Sequence, residues 1–166
     1  MRSLLQLPRS RSRERSEPET ETASRASTTT RKGSEADSIA EDPLFRLGRA
    51  IFGGILAFTA VDNLRNLEER VQYADAKDAP APERSVPAVS SALLAGGLGV
   101  ALWRRPAAGA AAIAGFLAGT TPVMHDFWNE DDPETKQQEL THFLKNGALF
   151  GAALAFMTQG RRRDER

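Results

Sequence analysis

Four apolar stretches, each led in by a proline, constrain this chain more than any other feature. They cover about 43–64, 87–103, 106–124 and 140–159, the last preceded by Asp132-Pro133. Proline suits the first position of a helix, because the N–H it lacks would have no partner there. Asp42, Ser85 and Asp132 sit where N-caps belong, one residue or two before a helix starts. The pattern predicts an all-α fold, a four-helix transmembrane bundle over residues 43–160. It is flanked by a polar tail over 1–42 and a basic tail over 161–166.

The second and third stretches carry the membrane expectation. Residues 86–103 are 18 without a charge, and residues 106–124 are 19. At 1.5 Å per residue either length suits a hydrocarbon core about 30 Å thick. Arg104-Arg105 is read as the whole connection between them, making an antiparallel hairpin. The first stretch has an uncharged run of only twelve residues, 50–61. Arg46 and Arg49 precede it and lengthen the usable span by snorkelling. Beyond it, Leu67, Val71 and Ala74 recur at helical spacing among charges, which predicts an amphipathic helix on the membrane surface or capping the bundle. The Ala79-Pro80-Ala81-Pro82 segment then breaks the chain. The fourth helix is expected to begin at Pro133 and to turn apolar near Phe143.

Small residues recur four apart: Gly53 and Ala57; Ala111, Gly115 and Gly119; Gly147, Gly151 and Ala155. Such faces allow close helix approach in lipid, so each is expected at a helix–helix contact. Gly96-Gly97-Leu98-Gly99 lies inside an apolar helix and reads as packing rather than nucleotide binding. A water-soluble helical bundle with an Ala/Gly-rich core is the competing architecture. It is disfavoured because the second and third stretches offer water no polar face.

Charge places the ends. Ten Lys/Arg lie in the segment through Arg49, two more at 104–105, and four at 161–163 and 166. The connection around 126–139 is acidic. Both termini and the 104–105 turn therefore belong in the cytoplasm, with the acidic loop outside. The lipid bilayer is the expected partner. Formal net charge is zero, so no global field invites nucleic acid. Residues 1–42 are too poor in apolar groups to offset ordering entropy and are expected to be disordered. With no cysteine, the chain supplies no disulfide framework, thiol nucleophile or Cys-bound cluster.

One constellation carries polar chemistry. His125, Asp126 and Trp128 end the third helix, and Glu139, His142 and Asn146 fall three and four apart on one face of the fourth. Antiparallel packing brings both histidines to one end at similar depth. Four uses compete. Glu-x-x-His can offer a metal two ligands from one helix face, but only one such pair exists and no metal site is assigned. A proton or quinone site is the second, since ionisable groups at membrane depth are functional candidates. Interfacial anchoring by Trp128 and hydrogen bonding between helices are the third and fourth. Asp62 is expected to face water or to pair with Lys145 or a histidine.

From about 44 to 157 the chain resembles the DoxX family of small membrane proteins. The resemblance rests on Arg49-Ala50-Ile51-Phe52-Gly53-Gly54, the segment from Asn66 to Tyr73, and the Ala-Pro before the Gly-rich second helix. It rests also on His125-Asp126-Phe127-Trp128 and His142-Phe143-Leu144-Lys145-Asn146. The resemblance implies a four-helix integral membrane bundle associated with quinone-linked redox complexes. Its candidate site is a polar pocket of His125, Asp126, His142 and Asn146, with Trp128 and Glu139 beside a cofactor, a quinone being the candidate. Redox-complex subunits and a second copy of the chain are the candidate protein partners. A scaffold subunit without chemistry is the alternative, and a small-solute transporter is a third, disfavoured because helices 2 and 3 offer no continuous polar path.

Overall fold

The structure is a computed structural model that describes residues 41–165. The expected disorder of the 1–42 tail lies outside the described residues for all but its last two positions. Five α-helices and no strand are found among the described residues: α1 (Pro43–Arg65), α2 (Leu67–Ala76), α3 (Pro82–Ala101), α4 (Pro106–Met124) and α5 (Pro133–Asp164), with a 3-10 turn at Phe127–Asn129.

Prolines start four of these helices, though not always as expected. Asp42 caps α1, its Oδ1 accepting from the Leu44 and Phe45 N–H groups at 2.8 and 3.1 Å. Asp132 caps α5 in the same way through Thr135. Ser85, however, is no cap. α3 starts at Pro82, so Ser85 and Pro87 lie inside it. Charged Glu83 and Arg84 in its first turn do not break a helix that the left-handed Ala81 has already begun. At its other end α3 stops at Ala101, short of Trp103. The N–H of Trp103 bonds Val100 at 3.1 Å and that of Arg104 bonds Gly99 at 2.9 Å, a Schellman closure. Trp103 takes the left-handed position, at φ 55°, that glycine usually fills. The α3–α4 connection is therefore residues 102–105 rather than two arginines. α5 runs unbroken to Asp164, so residues 161–164 belong to the bundle and not to a separate tail.

α1 packs on α3, α3 on α4 and α4 on α5, while α2 lies across α3. α1 and α5 are the two edges of this series. They meet where Phe156 faces Phe45 and Phe52 with ring centroids 5.7 and 5.0 Å apart. The core between the helices is Leu56, Leu93, Val100, Ile113 and Leu117 with alanines.

Glycine decides how closely the helices meet. A Cβ on Gly97 would sit 2.7 Å from the Ala57 nitrogen and the Gly53 carbonyl oxygen, and one on Gly96 would lie 2.8 Å from the Gly109 oxygen. Backbone contact replaces side-chain packing there. The expected faces of α4 and α5 do not pack: Gly115, Gly119, Gly147 and Gly151 have open space where a Cβ would be. Ile113, Leu117 and Phe150 take the inward side of those helices instead, and spacing four apart recurs on the outward side of any Ala/Gly-rich helix.

The outer surface is apolar. Leu44, Leu47, Ile51, Ile55 and Phe58 form one exposed stripe along α1. By length and composition two segments qualify as membrane spans, Pro43–Arg65 and Pro106–Asn129. The first is the one judged short from its uncharged run. α3, expected to be a clear span, does not qualify, because it exchanges two apolar residues at its end for a charged first turn.

Candidate functional site

α4 ends when the His125 N–H bonds the Thr121 carbonyl at 2.9 Å and the chain turns out of the helix. The 3-10 turn and the Asp132 cap then reverse it into α5. This reversal stacks His125 on His142, ring centroids 5.2 Å apart and 14° from parallel. Both histidines thus lie at one end of the bundle, as the antiparallel reading requires. Glu139, one turn before His142, reaches His125 Nδ1 at 2.7 Å. A carboxylate only accepts, so Nδ1 donates and Nε2 is the nitrogen left for another partner. Both side chains are largely shielded from solvent.

A cavity of about 400 Å³ opens beside this pair. His125, Thr120 and Asn146 form one wall, Ser90 and Leu93 of α3 another, and Arg70 and Tyr73 of α2 the roof. Ser90 is fully buried. The Arg70 side chain is aimed by Asp62, whose Oδ2 accepts from its Nη2 at 3.1 Å, while its buried Nε has no partner. Asp62 therefore pairs with neither Lys145 nor a histidine: α2 folds back over the bundle end and brings Arg70 closer. Leu117 and Asn146 separate this cavity from a smaller groove of about 150 Å³ on the other side of the α4–α5 contact. Thr121 lines that groove, buried and with an unpartnered hydroxyl.

Asp126 does not join the histidines. It accepts from Lys77 Nζ at 3.1 Å and from Asn129 at 3.1 Å, and Glu130 accepts from the same lysine at 3.3 Å. These contacts tie the end of α2 to the α4–α5 loop. Burial works against the Lys77 ammonium, but hydrogen bonds and attraction from Asp126 and Glu130 outweigh it and raise its pKa above the ordinary value. Trp128 stands outside the cavity in an edge-to-face cluster with Phe127 and Phe143, half exposed. It takes no part in the cavity wall.

Of the expected residues, His125 and Asn146 line the cavity, while Glu139 and His142 contact His125 without forming part of the wall. Arg70, Tyr73, Ser90 and Thr120 are the residues that sequence reasoning missed. The available signal was Arg70 and Tyr73 three apart on an amphipathic helix, with Tyr73 the only tyrosine in the chain. Among the described residues no three His, Asp or Glu side chains converge to hold a metal ion.

The opposite end of the bundle is closed by cations. Arg49 Nη1 bonds the Ala101 carbonyl at 2.7 Å and Arg163 Nη1 that of Trp103 at 2.6 Å. Arg49 also lies 5.4 Å from the Trp103 ring centroid. Arginine at the last carbonyls of a helix satisfies groups that have no partner within it. No family model, curated protein or solved structure matches this chain.

Proposed function

We propose that the chain is an integral membrane protein of DoxX type and that its cavity holds a quinone headgroup in the service of a membrane redox process. Its four long helices cross the bilayer and both termini lie in the cytoplasm. The apolar outer stripe of α1 supports lipid as the solvent, because a water-soluble protein seldom leaves such a patch bare. The basic residues gathered at the Trp103 end and the acidic ones at the histidine end support the orientation.

The observation that carries the ligand reading is a cavity that ends on an imidazole held in place by a carboxylate. Its volume lies within the roughly 300–1,000 Å³ of small-molecule pockets. Leu56, Leu93, Phe116 and Leu117 present apolar surface that suits a ring, and His125, Arg70 and Asn146 present polar atoms to its oxygens. A bound quinone would supply reversible two-electron, two-proton chemistry. Glu139 fixes the His125 ring through Nδ1, so that Nε2 donates to a quinone oxygen when the ring carries both protons and accepts from a quinol hydroxyl when it does not. Arg70 offers positive charge from the roof, and α2 keeps bulk water out. Electrons belong to a redox partner subunit.

Binding of decyl-ubiquinone to the full chain in phosphatidylcholine nanodiscs tests this. Wild type is expected to bind, and His125→Gln to bind about tenfold more weakly, the cost of one good hydrogen bond. Equal affinity in the two proteins, or none in the wild type, sinks the reading. A scaffold subunit is the second reading. It is favoured by Asp126 and Glu130, whose charges serve to join α2 to a loop.

A further inference from the structure

The cavity has two sides from which a ligand can approach, and the structure treats them differently. Toward water it is roofed by α2. That roof is fastened twice, by Arg70 to Asp62 near its start and by Lys77 to Asp126 and Glu130 at its end. Toward the flank it is bounded by α1 and α5, which pack on each other less than on their neighbours. α1 and α5 are the unpaired edges of the helix series, and both line the cavity, through Ile55 and Leu56 on one side and Asn146 and Leu149 on the other. Below this level Phe52 and Phe156 bring the two helices together. At cavity level no aromatic pair bridges them among the described residues.

We infer that this gap between α1 and α5 is a lateral portal, and that the ligand is a lipid-soluble amphiphile whose ring enters sideways and whose apolar chain stays in the gap. Ile55 and Leu149 form the rim: each lines the cavity and yet is 60% and 36% exposed, respectively. A rim of that kind offers water an unfavourable path and an alkyl chain a favourable one, worth about 0.8 kcal/mol per buried methylene. Ile55 also continues the exposed stripe of Leu47, Ile51 and Phe58, so the opening faces the surface that meets lipid. Tyr73, half exposed at the upper edge, places a hydroxyl where a headgroup would pass. The lining combines apolar Leu56, Leu93 and Phe116 with polar His125, Thr120 and Arg70, the two kinds of surface that a tailed ring would need. The inference rests on the ligand reading proposed above and adds to it the route and the need for a chain.

The test uses the absence of cysteine. Leu149→Cys, made in the full-length protein in phosphatidylcholine nanodiscs, is labelled with a bulky maleimide. The unlabelled variant serves as its own folding control. Two probes are compared at equilibrium, decyl-ubiquinone and the same ring without its chain. The label is expected to weaken decyl-ubiquinone about tenfold or more beyond whatever it costs the chainless ring. Equal decyl-ubiquinone binding with and without the label overturns the portal while the site reading stands. A label that weakens both probes alike also overturns it, because the chain then adds nothing at the gap. Failure of the unlabelled protein to bind either probe removes the site reading and the portal together.

Discussion

Single glycines sort into two kinds whose substitutions should move stability in opposite directions. Gly97 meets the backbone of α1. A Gly97→Leu side chain would push α1 off α3, and overpacking of this sort costs about 1–3 kcal/mol or more. Gly151 meets nothing within 4 Å. Gly151→Ala should stabilise by about 0.5–1 kcal/mol, because glycine in a helix interior is the costlier residue. Thermal unfolding of the two variants in one detergent checks both signs, and a stabilised Gly97→Leu would refute the close approach of α1 and α3. The sequence does not separate these glycines, since both sit in small-residue repeats. Their difference is set by which side of each helix carries Ile113, Leu117 and Phe150. The histidines were easier to read: 125 and 142 flank one loop, and a reversal there has to bring them together. Glu139 shares a helix face with His142, but its grip on His125 depends on where the 3-10 turn sets α5 down.

Among the elements, α2 depends most on named contacts. It is short, amphipathic and separated from α1 by a break at Asn66, and the salt bridges of Lys77 hold its far end. Lys77→Met should leave the four long helices folded and raise amide hydrogen exchange selectively across 67–76. Unchanged protection there would mean that packing on α3 alone holds the helix. The same latch has a pH signature. The Lys77 pKa is raised on folding, so its contribution is whole below the ordinary lysine value near 10.5. It is lost as pH climbs through the higher folded value. Protection of the α2 amides relative to their intrinsic exchange rates should therefore stay flat through neutral pH and fall only in strong alkali. This helix was legible from the Leu67, Val71, Ala74 spacing as a continuation of α1; its break from α1 at Asn66 was not. The start of α3 was not. Ser85-Val86-Pro87 has the form of a helix opening, and only the left-handed turn at Ala81 moves the start back to Pro82.

For the whole molecule, the membrane reading proposed above predicts that the chain sediments with membranes and leaves them only in detergent. Reporter fusions at residue 166 and in the 126–132 loop should fall on opposite sides of the membrane. Identical reporter signals would overturn the four-span orientation. The helical class and the four long segments were readable from proline and hydropathy, because long apolar runs opened by proline leave few other solutions. The cavity was not, because all five helices contribute to its wall and only their packing brings those residues to one place. The closure at the other end has an implication for assembly. Arg163 supplies the Trp103 carbonyl's partner from 60 residues further along, so during synthesis the α3–α4 hairpin must wait, incomplete, until the last helix emerges. Biogenesis then has a built-in checkpoint: a nascent chain cut at 160 keeps every apolar segment, but the hinge made early is left unfastened, and degradation rather than misinsertion should be its fate.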